Sequence, residues 1–388
     1  MARSLTVLFI FFATSSFAQN IWVADNNYNA PTGDHVFASL QDAINAASAG
    51  DIVQVQPSPN SYGNVSIADS ITLIGIGFNV DKDMPLKSIV GNISLTNNIE
   101  NTKNASGTVV KGIEFSQFLL ASNTGPAYTL KNILIKNCQF SYIRIVDSPV
   151  DNLEIRNCYI HGNYSGYALY APRKLSSLLC RNNLILYNMA FSSTIAGDNN
   201  FIANNILYGG IYINAEGSLT YIINNNFIGQ KDSETSFDTE LKDCIISNNI
   251  FYGSTPSIGI TGSTSPEFQR NIFNNNIVHS TGDDTMPPTG GEAGNSGSNN
   301  LIVSPDFEYV QLLNSWSSDY NFTLKAGSPA LNAGDDGTDI GISGGAYAIT
   351  EPNFSLKTTK APVIQILNTS TVINPGDSLP VRIKAKSN

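Results

Sequence analysis

Large apolar residues alternate with polar ones in short runs, and many runs end in a recurring phrase: two adjacent polar residues, any residue, then a large apolar one. Asn137-Cys138-Gln139-Phe140 is one copy of this phrase. The copies begin at Asn137, Asn157, Asn182, Asn204, Asn225, Asn248, Asn275 and Asn299, in steps of 20, 25, 22, 21, 23, 27 and 24 residues. A period in the low twenties predicts a solenoid of stacked repeats.

Two solenoids have repeats of this length, the leucine-rich repeat and the parallel β-helix. A leucine-rich repeat needs a fixed framework of leucines and a helical or 3₁₀ segment in each unit. Here the apolar positions are Ile, Phe, Tyr and Val at period two, as in Ile133-x-Ile135-x-Asn137, and no helical stretch separates the copies. The pattern therefore favours the β-helix.

The first asparagine of each copy continues the inward alternation of the strand before it. Asparagine tolerates the left-handed backbone conformation and hydrogen-bonds local backbone, so it suits a bend. Stacked on its equivalent in the next repeat, its amide can find a partner in a ladder. We predict that these asparagines hold turns and take no part in chemistry.

The region before the repeats predicts a helix and a strand. Leu40, Ala43, Ile44 and Ala47 fall on one helical face, with Ser39 as the expected N-cap and Gly50 just past the end. Residues 51 to 56 then alternate as a strand, and weaker runs follow at 71–75, 89–95 and 109–115.

Three stretches resemble the pectate-lyase-like right-handed β-helix family. Residues 39–47 with 50–55 resemble the amino-terminal cap of that family, and residues 70–77 resemble its first turn. Residues 322–334, with Asp339-Ile340-Gly341 and Gly344-Gly345-Ala346-Tyr347, resemble the closing segment of secreted bacterial β-helix proteins. The resemblance spans residues 20 to 350 and implies a helix that covers the first rung.

The expected fold is all-β: a single-stranded right-handed parallel β-helix of about eleven rungs, with an N-terminal capping helix. We place a signal peptide at residues 1–18, the β-helix with its cap at 19–350, and a tail at 351–388. The tail is predicted to form a short β-hairpin, because strand-like runs at 362–367 and 379–383 flank Asn374-Pro375-Gly376-Asp377.

The amino terminus is typical of an export signal. Arg3 is followed by an apolar run from Leu5 to Ala13 and by a small-x-small cleavage site that ends at Ala18. That run is too short to span a membrane, so we expect a protein that is secreted, periplasmic or at the cell surface, without membrane insertion. The net charge of −10 argues against a nucleic-acid partner.

Four cysteines in an exported chain raise the question of disulfides. Cys138 and Cys158 occupy the same place in neighbouring repeats, about 4.8 Å apart. That distance fits a disulfide, but side chains on in-register strands point the same way, which favours two buried thiols. Cys180 and Cys244 fall on inward positions and are expected in the core.

The residues that could bind a ligand or take part in catalysis are those immediately before the first asparagine of each phrase. This file reads Lys136, Arg156 and Arg181 on consecutive repeats and then Ala203, Asn224, Ser247 and Asn274. These positions should point outward, as should Glu154. Arg144 and His161 are nearby in sequence, and Tyr159, Tyr164, Tyr167 and Tyr170 could supply faces on which sugars stack. A basic row beside aromatic residues suits an anionic glycan.

The family resemblance implies enzymes that act on acidic polysaccharides. Lys136, Arg156 and Arg181 are then candidates for a catalytic base or for glycan binding, and Glu154, Asp147 and Asp151 for Ca²⁺ ligands. The Arg-x-Pro-x-x-Arg phrase of extended pectate lyases and the polygalacturonase motifs are missing.

Three functions remain open from the sequence. The first is binding of an extended acidic polysaccharide, the second is a lyase acting on a uronate-containing glycan, and the third is a structural or adhesive surface rod. The three histidines are too scattered to propose a zinc site.

Overall fold

A computed structural model describes residues 19–28, 30, 33–77, 86–98, 103–122, 128–162, 164–191, 199–213, 219–229, 235–237, 241–256, 268–288, 294–313 and 315–349, together with two strands in the tail. The signal peptide predicted at residues 1–18 lies outside the described residues. Within them the chain is almost entirely β, with one helix, α1, at Leu40–Ala46.

Short strands make up nearly all of the regular structure. In chain order they are β1 Ile21–Ala24, β2 Val36–Phe37, β3 Ile52–Val55, β4 Val65–Ile67, β5 Thr72–Ile74, β6 Asn92–Asn98, β7 Lys103–Asn104, β8 Val109–Lys111, β9 Glu114–Ser122, β10 Leu130–Lys136, β11 Gln139–Ile145, β12 Val150–Arg156, β13 Tyr159–Ile160, β14 Tyr167–Ala171, β15 Leu175–Ser176, β16 Leu179–Arg181, β17 Leu184–Ile185, β18 Asn188–Phe191, β19 Asn200–Ala203, β20 Ile206–Leu207, β21 Ile211–Ile213, β22 Thr220–Ile223, β23 Asn226–Ile228, β24 Ile245–Ser247, β25 Ile250–Tyr252, β26 Ile272–Asn274, β27 Ile277–His279, β28 Ser296–Ser298, β29 Leu301–Ile302, β30 Phe307–Tyr309, β31 Asn321–Leu324, β32 Val363–Thr369 and β33 Val381–Lys386.

Two long parallel sheets organise these strands. The first sheet runs in the order β2-β1-β3-β5-β8-β10-β12-β16-β19-β22-β24-β26-β28, and the second contains the run β11-β13-β17-β20-β23-β25-β27-β29. The chain alternates between the sheets, so each pair of neighbours in a sheet is one repeat apart in sequence. This is the predicted parallel β-helix. Ser296–Ser298 is the last strand of the first sheet, although the run of Gly, Ser and Asn around it carries no alternating apolar pattern.

The interior is filled by stacked apolar side chains from successive repeats. Phe115 and Phe140 lie face to face with ring centroids 4.7 Å apart, and Phe227 and Phe251 do the same at 4.9 Å. All four cysteines are buried and free, so Cys138 and Cys158 are two thiols and not a disulfide. Strong burial of large side chains in register supplies the main stabilisation of such a core.

The turn between the two sheets depends on both polar residues of the repeated phrase. The first residue has a positive φ in every copy: Asn137, Asn157, Asn182, Asn204, Asn224, Asn248, Asn275 and Asn299. Asparagine is among the few non-glycine residues that adopt this conformation readily, which explains its recurrence. One copy of the phrase therefore begins at Asn224, and the sequence prediction of Asn225 was wrong by one residue.

The second residue of each phrase is the one that stacks in the interior. Asn183, Asn205, Asn225, Asn249, Asn276 and Asn300 form what we call the amide row. Each Nδ2 donates to the Oδ1 of the next, at 3.0 to 3.1 Å along the row. The sequence had assigned this inward position to the first asparagine. That residue occupies the left-handed turn, so the inward alternation resumes one residue later.

The helix α1 lies at the amino-terminal end beside the first strands. Its N-cap Ser39 accepts a hydrogen bond from the Asp42 amide, and Leu40, Ala43 and Ile44 are buried. Nearby, the buried Asp51 accepts hydrogen bonds from the Trp22 indole and from backbone amides. Burial alone would raise the pKa of Asp51, but these hydrogen bonds outweigh it and hold the pKa below its usual value.

The closing segment, which we define as residues 320–349, runs along the outside of the later repeats against the direction in which they stack. The first asparagines of successive phrases fasten it: Asn275 donates to Ala333 O, Asn248 to Asp335 Oδ1, Asn204 to Gly344 O and Asn182 to Tyr347 O, at 2.6 to 3.0 Å. Apolar side chains below it, including Leu184, Ile206, Ile250 and Ile277, form a second core with Phe322, Ile340 and Ile342.

In the tail, β32 and β33 pair antiparallel. Among the described residues, no helix has the length and hydrophobicity needed to cross a membrane.

Candidate functional site

A file of basic residues lies on the first sheet, at the ends of four successive strands. Lys111, Lys136, Arg156 and Arg181 are direct Cα partners along β8, β10, β12 and β16. We call these four residues the cationic row. Neighbouring members are about 4.8 Å apart along the stack because that is the spacing of hydrogen-bonded strands. The structure thus brings together the three basic residues that the sequence singled out and adds Lys111.

One carboxylate lies within the row. Glu154, two residues before Arg156 on β12, receives Nη2 of Arg181 at 2.9 Å and Nε of Arg181 at 3.2 Å. Nε of Arg156 is 3.1 Å from the same oxygen, as an ion pair without hydrogen-bond geometry. Glu154 therefore neutralises part of the charge of the two arginines and fixes the position of Arg181.

Lys136 differs from the arginines because no carboxylate in the described part of the chain pairs with its ammonium group. Burial, followed by the positive charges of Arg156, Lys111 and Arg181, lowers the pKa of Lys136, against an opposing effect of Glu154. A partly buried ammonium between like charges is destabilised, and an anionic ligand would relieve that repulsion. Within the row, Lys136 is accordingly the side chain best placed to meet an anion.

The far end of the row is covered by the closing segment. The guanidinium carbon of Arg181 lies 4.8 Å from the ring centroid of Tyr347, and Asn182 holds the Tyr347 carbonyl. Arg181 is thus held between a carboxylate and an aromatic ring. This arrangement makes Arg181 a positioned and largely satisfied cation, in contrast to Lys136.

Beyond Arg181 the file loses its charge. The register continues through Ala203, Ile223, Ser247 and Asn274. The sequence had assigned Asn224 to this file, but Asn224 occupies the turn and Ile223 takes the outward place. The error arose because Asn224, Asn225 and Asn226 form a run in which the phase of the phrase is ambiguous.

The proposed calcium ligands do not come together. Asp147 follows β11 in a loop, Asp151 lies near the start of β12 in register with Lys131 and Ser176, and Glu154 is engaged by two arginines. Within the described ranges, no three His, Cys, Asp or Glu side chains form a group that could hold a metal ion. These residues do not fit a Ca²⁺ site, and we derive no step through calcium.

Two further predicted residues lie across the turn from the row, on the second sheet. The rings of Tyr159 and His161 are 5.2 Å apart, and Tyr159 also contacts Trp316 at 5.6 Å. The pKa of His161 is lowered, mainly by burial and also by Lys87, although Glu114 opposes the shift. Lys87 and Glu114 form an ion pair of 2.7 Å. This neighbourhood is polar and aromatic, and its described residues include no cluster that could hold a metal ion.

The predicted Tyr164, Tyr167 and Tyr170 lie elsewhere, at the other end of the second-sheet strands, together with Arg144. Sequence reasoning missed Lys111 because its repeat uses Gly112, with φ of 68°, where later repeats use asparagine. A sequence search that accepted glycine as well as asparagine after each alternating strand would have found Lys111. Tyr347 has no local signal, since its partners are about 165 residues away.

No protein-family model matches the chain, and no curated protein matches it. Solved structures that match include pectate lyase Pel9A, at 14% identity and a TM-score of 0.33, covering 84% of this chain and 97% of that one. Another is the Streptococcus pneumoniae surface protein and adhesin PfbA, at 14% identity and a TM-score of 0.24, covering 67% of this chain and 92% of that one.

A third match is QnrB1, a plasmid-mediated fluoroquinolone resistance protein, at 12% identity and a TM-score of 0.26, covering 64% of this chain and 91% of that one. All three TM-scores are low. Similarity at this level supports no inference about activity or ligand. The strand pairing described above is what makes the chain a parallel β-helix.

Proposed function

We propose that this protein is a secreted, carbohydrate-associated β-helix protein that binds an extended acidic polysaccharide along the cationic row. The observation that carries the proposal is the register of Lys111, Lys136, Arg156 and Arg181, which repeats a positive charge at every strand spacing on one face. A polyuronate repeats a negative charge along its length in a comparable way. Among the described residues, Arg156 and Arg181 share the carboxylate of Glu154 and neither Lys111 nor Lys136 has an ion pair, so the row keeps a net positive charge.

The overall charge makes this local arrangement informative. The chain carries 21 Lys and Arg against 31 Asp and Glu, a net charge of −10. Such a protein is repelled from a polyanion unless a local patch of opposite sign binds it. Retention by an acidic glycan would therefore report on a local binding surface and not on bulk charge, and loss of retention in a variant of the row would assign it to the row.

Affinity electrophoresis in gels that contain polygalacturonate, alginate or neutral galactomannan tests the proposal. We expect slower migration with at least one acidic glycan, weakening as salt rises, and no such effect with galactomannan. The double variant Lys136→Gln/Arg156→Gln should lose the retardation. Lys131→Gln is the matched control, because Lys131 is an exposed lysine on the same strand outside the row. Unchanged migration of the wild type in both acidic gels would rule out the proposal in favour of an adhesive or structural rod.

A lyase activity on the same glycan is the second candidate, favoured by the lowered pKa of Lys136. A lowered pKa leaves more of the Lys136 amine unprotonated at a given pH, and the neutral amine can accept the proton next to a uronate carboxylate, whose charge Arg156 would neutralise. Elimination yields an unsaturated sugar that absorbs ultraviolet light. An absorbance rise that Lys136→Gln abolishes would support the lyase, whereas binding without any rise would leave a binding protein.

A further inference from the structure

A group of aromatic side chains with one arginine lies on the outer face of the second sheet, whereas the cationic row lies on the first. We call this group the tyrosine cluster; its members are Tyr142, Tyr164, Tyr167, Tyr170, Tyr212 and Arg144. Arg144, Tyr170, Ala190 and Tyr212 are register partners on β11, β14, β18 and β21. The cluster thus extends across four neighbouring strands, about 14 Å along the stack.

The rings contact one another in a continuous series. Tyr142 lies 5.4 Å from Tyr164, and Tyr164 lies 5.7 Å from Tyr170. Tyr170 stacks on Tyr167 at 5.4 Å with an interplanar angle of 20°, and Tyr167 meets the edge of Tyr212 at 6.0 Å. Such contacts restrict the rings without covering them, because every tyrosine in the cluster keeps partial solvent exposure.

The cluster is unlike a structural tyrosine elsewhere in the chain. The hydroxyl of Tyr62 donates to the carbonyls of Ala24 and Gln56, which fixes that side chain in place. By contrast, the described part of the chain gives no hydrogen-bond partner to the hydroxyls of Tyr142, Tyr164, Tyr167 and Tyr170. Partly exposed hydroxyls on fixed rings are available to a ligand.

Arg144 also has unused bonding capacity. Its guanidinium lies over the ring of Tyr164, 4.7 Å from the centroid. The side chain is partly exposed, and no carboxylate among the described residues forms an ion pair with it. Its Nε is buried, so a ligand would bond the terminal Nη groups. Arg181, by comparison, is bound by Glu154 at 2.9 Å. A planar donor group held against a ring is well placed to bond hydroxyl or carboxylate oxygens.

We propose that the tyrosine cluster is a second carbohydrate-binding site, at which pyranose rings stack on the tyrosine rings and bond the free hydroxyls and Arg144. A pyranose ring offers a C–H face that packs on an aromatic ring and a rim of hydroxyls that both donate and accept hydrogen bonds. A series of rings across four strands matches more than one sugar unit. The site does not depend on the cationic row. A neutral glycan and the acidic polysaccharide share this chemistry.

Tyrosine nitration of the wild-type protein, mapped by mass spectrometry, tests the site and distinguishes a neutral glycan from the acidic polysaccharide as its ligand. The panel is galactomannan, xyloglucan and mixed-linkage β-glucan as neutral glycans, and polygalacturonate and alginate as acidic ones. At least one should slow nitration of Tyr164 and Tyr170 about fivefold or more, while Tyr28, which is 94% exposed, serves as the internal reference. Protection by neutral glycans assigns a neutral ligand, and protection by acidic ones alone assigns the polyanion. If no glycan in the panel protects the cluster, the proposal is wrong.

Substitution gives a second, independent readout. Tyr164→Ala/Tyr170→Ala should weaken binding of the protecting glycan about tenfold, measured by calorimetry on variants that melt cooperatively. Tyr221→Ala is the matched control, since Tyr221 is also partly exposed and stacked on a ring, that of Phe201 at 4.5 Å, but lies on the first sheet. The variant Lys136→Gln/Arg156→Gln should leave protection by a neutral glycan unchanged. Equal loss of affinity in the cluster variant and in Tyr221→Ala would contradict a specific site.

Discussion

Replacement of one asparagine in the amide row should strongly destabilise the protein. Asn225 is fully buried, and its Nδ2 donates to the carbonyl of Ile202 at 2.8 Å and to Oδ1 of Asn249 at 3.0 Å. Its Oδ1 accepts from the backbone amide of Asn205 at 2.9 Å and from Nδ2 of Asn205 at 3.0 Å. Asn225→Ala removes both roles and opens a cavity of amide size.

The magnitude follows from the groups left without partners. The Asn205 amide and the Ile202 carbonyl both lose a buried hydrogen bond, and each loss costs about 1–3 kcal/mol. We therefore expect Asn225→Ala to lower the free energy of unfolding by about 3 kcal/mol or more, a large share of the stability of a typical domain. Urea denaturation followed by circular dichroism measures this change.

Two further variants make the test specific. Asn45→Ala removes an exposed amide that accepts from Gln41 at 2.9 Å, and it should change the free energy of unfolding by less than about 0.5 kcal/mol. Asn225→Cys should cost less than Asn225→Ala, because Cys158 occupies the equivalent place and donates to the Arg156 carbonyl at 3.2 Å. A loss for Asn225→Ala no larger than that for Asn45→Ala would refute the assigned role of the row.

Three other outcomes follow from the structure. Because hydrogen bonds hold the pKa of Asp51 below its usual value, its carboxylate stabilises the fold at neutral pH. This stabilisation is lost as the pH falls through the lowered pKa. Denaturation at several pH values should therefore show the stabilities of the wild type and Asp51→Asn converging in acid. Tyr347→Ala removes the ring over Arg181 and should lower the free energy of unfolding by about 1 kcal/mol, whereas Tyr347→Phe should not. Burial raises the pKa of Cys180 to about 12, so a thiol reagent at pH 8 should label none of the four buried cysteines until denaturant is added; rapid labelling of the native protein would contradict that burial.

The sequence predicted the fold well because each repeat carries its own local signal. Alternating apolar residues define the strands, and a residue that accepts a left-handed conformation marks the turn. The alignment of Lys136, Arg156 and Arg181 followed from that repeat alone. Where three asparagines adjoin at residues 224–226, the same signal was ambiguous by one position, and the outward residue was misassigned.

The surroundings of the candidate site could not be predicted in the same way. The contact of Tyr347 with Arg181, like the fastening of the closing segment by asparagines, joins residues far apart in the chain. No periodicity encodes such contacts, because they depend on the course of a segment outside the repeat. Carboxylates such as Asp147 and Asp151 were grouped with Glu154 by sequence distance, which does not measure separation around a rung.

The closing segment also constrains how the rod can change its length. A solenoid in which each repeat contacts only its neighbours can gain or lose a repeat with little disturbance elsewhere. Here the closing segment is hydrogen-bonded at fixed intervals, through its carbonyl and carboxylate groups, to Asn182, Asn204, Asn248 and Asn275. An added or deleted repeat between them would displace every later anchor from its partner. Duplication and loss of repeats are therefore expected to be tolerated before Asn182, where the cationic row lies, and not after it.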